Sequence, residues 1–218
     1  MASLTLIRYR ELIQSMPVMD QASVSKVATW RDHKNEVLDA VLKQFAEPTG
    51  AAVSVSRRDI FRLARGGPTP PFLYATYMWG YANGNRGQYR EVFGQIDRIL
   101  MHLGRAPAKI DEVDWLSEYE ELTHGITGVN LSTWTKFLHF LRIDVGGWPA
   151  LILDGKIIDV FRRAVFCEFS ALARVSYNNG PRRYVDYLRS MYGVAAKLGV
   201  DADKLEMFLF TFGNALKN

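Results

Sequence analysis

Apolar side chains spaced at three and four, bounded again and again by cap and breaker residues, restrict this chain to helices packed on helices. In 32–45 (DHKNEVLDAVLKQF), Val37, Leu38, Val41, Leu42 and Phe45 share one helical face, and EPTG stops the run. Ser56 and Asp59 form a capping-box pattern ahead of RRDIFRLAR, which Gly66 and Gly67 close. Thr69-Pro70-Pro71 opens FLYATYMWGYA with prolines in the first turn, where a missing N–H costs little. After an NGNRG turn at 83–87, residues 88–104 form one amphipathic pattern ending at Gly104. Further helices are predicted over 111–122, over the segment carrying Lys136, over 155–175 and over 181–198. Asp201 is expected to cap the last one, with Val200 and Leu205 as a hydrophobic staple. Val53–Val55 and Leu151–Leu153 are the only strand-like runs, both too short to anchor a sheet. The expected class is therefore all-α, with roughly eight to ten helices.

The chain has 218 residues, 48% of them hydrophobic, enough for one substantial core or two small lobes around a cleft. No repeat or low-complexity linker divides it, so one domain is expected over 1–218, with no boundary between lobes marked. A formal charge of +4 suits either a polyanionic partner or plain solubility. A single cysteine, Cys167, excludes an internal disulfide. His33, His102, His124 and His139 show no metal-ligand spacing, and neither a metal nor a cofactor is expected. The first sixteen residues carry Arg8, Arg10 and Glu11 within any apolar stretch, and no long uncharged apolar window exists. The expectation is a cytoplasmic, monomeric protein with no membrane span.

The densest chemistry lies in LSTWTKFLHFLRIDVGGWPALILD (131–154). Lys136 is a lone cation in an aromatic, apolar helix, and Asp154 ends an apolar run 18 residues later. Eighteen residues leave room for the rest of that helix, a turn at 144–148 and a return that brings the carboxylate beside the amine. Breaking an N-glycosidic bond passes through an oxocarbenium-like sugar, which calls for negative charge near C1′ and an activated water or amine to capture it. A lysine attacks only as the neutral amine. Burial among Trp134, Phe137 and Phe140 favours that form, and a neighbouring carboxylate opposes it. The plainer alternative is a solvated lysine and a helix-capping aspartate.

Around this pair, Trp79 and Tyr81 stand beside Gly80 just before the Asn/Gly/Arg turn, placed either to line a base pocket or to fill the core; Tyr74 and Tyr77 belong to the core. Arg86, Gln88 and Arg90 suit phosphate contacts or base-edge readout as well as a solvated face. Trp134, Trp148 in GGWPA and His139, which shares the Lys136 face, are further expected to wall the base pocket; the plainer readings are a turn plug for Trp148 and, for His139, a core histidine rather than a proton shuttle. Arg162-Arg163 and Arg182-Arg183 face either phosphates or solvent, and Asp159 belongs to a helix surface.

The ordered blocks MWGYANGNRGQYR, TKFLHF and PALILDGKIIDVF, over about 70–166, resemble the 8-oxoguanine DNA glycosylases of the helix-hairpin-helix superfamily, bacterial type. The resemblance implies a helix-hairpin-helix fold, with Gly125–Asn130 as the DNA-holding hairpin (Gly125, Gly128 and Asn130), Lys136 as nucleophile and Asp154 as the essential aspartate. Here GITGV replaces the strict G-[VI]-G hairpin, and NLSTWT intervenes before the lysine. The implied activity is excision of a modified base from double-stranded DNA, with a Schiff-base intermediate and strand nicking by β-elimination as a possible further step. The implied substrate is oxidised guanine in repair, with a hypermodified base in phage DNA, and hence antiphage defence, as the other option. The rival from another class is a non-catalytic helical DNA-binding or interaction module. An RNA-directed enzyme ranks last, because no aromatic sheet platform is expected.

Overall fold

Asn130 begins the helix on which the site depends. Its Oδ1 accepts from the Thr133 amide at 3.1 Å, and Leu131–Phe140 follows, with every side chain from Thr133 to Phe140 buried. A helix buried all round must lie inside the molecule rather than on it. The structure is a computed structural model and describes residues 4–33, 35–84 and 88–216. Among them the α-helices are α1 (Arg10–Gln14), α2 (Glu36–Gln44), α3 (Arg57–Ala64), α4 (Pro70–Gly80), α5 (Tyr89–Phe93), α6 (Ile96–Arg105), α7 (Glu112–Gly125), α8 (Leu131–Phe140), α9 (Gly155–Arg162), α10 (Tyr184–Leu198) and α11 (Ala202–Phe212). The lysine helix α8 packs against α3 and α4, and α11 packs against α1, α9 and α10. One apolar cluster joins residues from Leu6 to Leu209.

Local signals set most boundaries. Ser56 and Asp59 make the full capping box of α3, Thr69 caps α4 ahead of its prolines, and Asn35 caps α2. Asp201 occupies the cap position of α11, but its side chain accepts no capping bond. The single helix expected over 88–104 is two. Gln95 leaves helical backbone (φ −119°, ψ 17°) and its side-chain amide is bonded to the hairpin, accepting from the Thr127 amide and donating to the Thr127 carbonyl, both at 3.3 Å. The helix expected over 155–175 also breaks. Ala164 takes φ 49°, and the chain turns to bridge Leu4 with Phe166 before a 3-10 segment at Cys167–Leu172.

The strand expectation needs the larger correction. Val53–Val55 belongs to a real strand, β2 (Ala52–Ser56), paired antiparallel with β1 (Ala22–Lys26) in the register Val24↔Ser54. A second small sheet joins β3 (Lys109–Ile110), β4 (Asp144–Val145) and β5 (Trp148–Pro149), its hairpin turning through Gly146 and Gly147, both at positive φ. Leu151–Leu153 is not a strand. It is extended, buried chain whose polar backbone is satisfied by side chains. The carbonyls of Pro149, Leu151 and Ile152 accept from the hydroxyls of Tyr192, Tyr184 and Tyr187 at 3.1, 2.7 and 2.8 Å. The Ala150 carbonyl accepts from His139 Nδ1 at 2.8 Å, and the Leu153 amide donates to Thr135 Oγ1 at 3.2 Å. No helix among the described residues is long and apolar enough to cross a membrane.

Candidate active site

The buried run at 150–153 delivers Asp154 to the start of α9, where the carboxylate caps the helix. Its Oδ1 accepts from the amides of Lys156 at 2.8 Å and Ile157 at 3.3 Å. Both capping bonds fall on one oxygen, which leaves Oδ2 without a hydrogen bond among the described residues. Lys136, about one turn before the C-terminal end of α8, is only 4% exposed. Its Nζ donates to the Ser132 carbonyl at 3.1 Å and to Ser132 Oγ at 2.5 Å, and lies 5.1 Å from the centroid of the Tyr81 ring. The stem passes tightly over Gly80: a Cβ added there would stand 2.9 Å from Lys136 Cε.

Lys136 and Asp154 line one cavity of about 120 Å³, together with Gln21, Ala22 and Ser23 at the start of β1, Trp79, Gly80, Ile152, Glu206 and Phe210. The space is well below the roughly 300–1,000 Å³ of common small-molecule pockets. Trp79 is held by its Nε1, which donates to the Gln21 carbonyl at 3.1 Å, and by an edge contact with Phe140. A wider depression of about 570 Å³ runs along Glu120, Glu121, Thr123 and His124 on α7, and none of its lining side chains is buried.

Behind the cavity sits a buried charge cluster. Arg57, 1% exposed, donates from Nη2 to Glu206 Oε2 at 2.6 Å and from Nε to Gln21 Oε1 at 2.6 Å, with its guanidinium 5.1 Å over the Trp79 ring. The other Glu206 oxygen, Oε1, is buried with no hydrogen-bond partner. Burial pushes the Glu206 carboxyl up to about 7, against the pull of Arg57 and with a further push from Asp203 and Asp154. His139 is held down to about 4 by burial. Because its Nδ1 donates to a carbonyl, Nε2 is the unprotonated nitrogen, and it faces Arg57 Nη1 at 3.5 Å.

The expected site residues separate accordingly. Lys136, Asp154 and Trp79 share the cavity. Tyr81 stands over the lysine and bonds Thr133 Oγ1 through its hydroxyl at 2.8 Å. Three pocket expectations are corrected. Trp134 is 1% exposed and does not line the cavity, Trp148 stacks on Tyr192 in the β4–β5 hairpin, and His139 lies behind Arg57 as a core histidine. The hairpin expected at Gly125–Asn130 does link α7 to α8. Gly128 takes φ +83° and would press a Cβ to 2.8 Å from Val92, which makes glycine the residue that fits. Gly125 lies against Arg98, and Asn130 Oδ1 is engaged in capping. Arg86 lies outside the described residues. Gln88 is exposed at the start of α5, and Arg90 pairs with Asp32 while lying over Tyr89. Tyr74 and Tyr77 are core, and Asp159 is exposed, facing Arg162. Glu206, Gln21, Ser132 and Phe210 escaped the sequence reading. Only Glu206 left a trace, as the one charge in LEMFLF.

The family model described as "Putative 8-oxoguanine DNA glycosylase OGG-like protein" matches residues 16–210, and the chain belongs to that family. Membership implies a DNA-binding protein whose reaction class is base excision. No curated protein and no solved structure matches the chain.

Proposed function

We propose that this protein is a DNA glycosylase that draws a modified base out of duplex DNA into the Trp79–Glu206 cavity and cleaves its N-glycosidic bond with Lys136 and Asp154. The observation that carries this reading is the placement on one aromatic-walled cavity of a buried lysine with no acidic partner, and an aspartate with an uncommitted oxygen, among the described residues. The neutral Lys136 amine attacks C1′ as the glycosidic bond breaks and its electron pair leaves with the base. Asp154 Oδ2 stabilises the positive charge that builds on the sugar as that bond breaks. The aminal so formed opens its sugar ring, the C1′–O4′ bond breaking as O4′ takes up a proton from the attached nitrogen, to give a Schiff base; water hydrolyses it to an abasic site, or loss of a C2′ proton expels the 3′ phosphate by β-elimination. Trp79 and Phe210 offer flat surfaces for the base, and the unpartnered Glu206 Oε1 offers an acceptor for a base N–H. The Gly125–Asn130 hairpin, with Gln88 and Arg90 beside it, is the proposed contact to the DNA backbone. The small cavity and the family description favour a compact oxidised guanine over a bulky hypermodified base from phage DNA. The protein works as a monomer.

The test is to incubate wild type, Lys136→Ala and Asp154→Asn with oxidised, bacterial and phage-derived DNA and to identify released bases by mass spectrometry. Release by wild type and its loss in Asp154→Asn is the expected result, and the released base names the substrate. Tight duplex binding with no base released from any DNA would make the protein a binding module instead.

A further inference from the structure

We infer that Ser132 is a positioning residue for Lys136 and the route by which the amine loses its proton to solvent. The inference rests on Lys136 being the nucleophile. Lysine side chains on a helix reach back over the preceding turn, and Ser132 is one turn before Lys136. The Nζ is held there by both oxygens of the serine, by the Tyr81 ring and by the close passage over Gly80. No carboxylate stands within ion-pair distance of Nζ among the described residues, although Asp154 and Glu206 line the same cavity. A hydroxyl therefore takes the place that a counterion would occupy. The hydroxyl fixes the direction of the amine through a short hydrogen bond.

The hydroxyl is also amphoteric. It can accept a proton from Nζ on a lone pair while passing its own to water, so the serine ends as it began. Ser132 is half-buried where Lys136 is buried, so the residue whose Oγ touches Nζ is the more exposed of the two. The proton leaves Nζ for Oγ, and the Oγ proton leaves for water. The amine lone pair so exposed forms the bond to C1′, and the base departs with the electrons of the glycosidic bond.

The test compares the full-length wild type with Ser132→Thr and Ser132→Val, two variants of matched shape that differ in the hydroxyl. Single-turnover release of 8-oxoguanine from duplex DNA and borohydride trapping on the same duplex are followed from about pH 6 to about pH 9. Thermal melting of each variant accompanies the rates. Ser132→Thr is expected to stay within a few-fold of wild type. Ser132→Val is expected to lose on the order of 10²-fold in kcat at neutral pH, with KM little changed, and to recover as hydroxide replaces the relay. A Ser132→Val profile parallel to wild type, or an equal loss at every pH, would overturn the role of Ser132. A wild type that releases base but never traps would instead overturn Lys136 as nucleophile, and the proposal with it.

Discussion

At the scale of single residues, the structure sets two buried titratable groups against each other. Glu206 rises from 4.5 to about 7, so the folded chain holds this proton more tightly than the unfolded one. Its contribution to stability is present below about 4.5 and is lost as pH rises to about 7. His139 falls from 6.5 to about 4, and its contribution is present above 6.5 and lost as pH falls towards 4. Across their overlap the two slopes oppose. Wild type is expected to show a flat melting temperature from these groups between about pH 4.5 and 6.5, and Glu206→Gln to melt progressively earlier on acidification over that range. Superimposable profiles would refute the assignment. Arg57 bridges both groups, and Arg57→Ala leaves Glu206 buried and unpaired, a loss expected to cost about 3–5 kcal/mol in chemical denaturation.

At the scale of elements, the site depends on chain that has no regular structure of its own. The 149–153 segment hangs on three α10 tyrosines and on two α8 side chains, and this suspension sets where Asp154 begins α9. Tyr187→Phe leaves the Ile152 carbonyl, two residues before Asp154, buried without its donor. It is expected to destabilise the protein by about 1–3 kcal/mol in urea titration and to slow base release further than that loss of folded protein explains. Gly80→Ala is the converse case. The added methyl meets the flexible end of Lys136, so melting should stay close to wild type while trapping slows, because the amine is displaced. Equal trapping rates would show that the close passage over Gly80 does not set the position of Nζ. Elements with local punctuation were legible in the sequence, such as α3 from Ser56 and Asp59 or α4 from Thr69 and its prolines. The break at Gln95 was not, because its cause is a bond to Thr127, 32 residues away, and β1 was not, because ASVSK becomes a strand only against AVSVS.

At the scale of the whole molecule, the order of blocks along the chain carried more than composition did. The helix at 131–140, the hairpin before it and the aspartate after it gave both the family and the two residues that converge on the cavity. The remaining walls come from positions far apart in sequence. Gln21, Trp79, Glu206 and Phe210 meet only once the helices pack, and Trp134, beside the lysine in sequence, points into the core instead. Proximity in sequence thus misassigned the tryptophans, because neighbours on a helix wholly enclosed by protein face different partners. The central claim is that Lys136 forms a covalent bond to the sugar. Its most direct test is borohydride reduction of wild type with duplex DNA containing 8-oxoguanine, followed by peptide mapping of the cross-linked protein. A single adduct on Lys136, absent from Lys136→Ala, is predicted; an adduct on another amine would contradict the account.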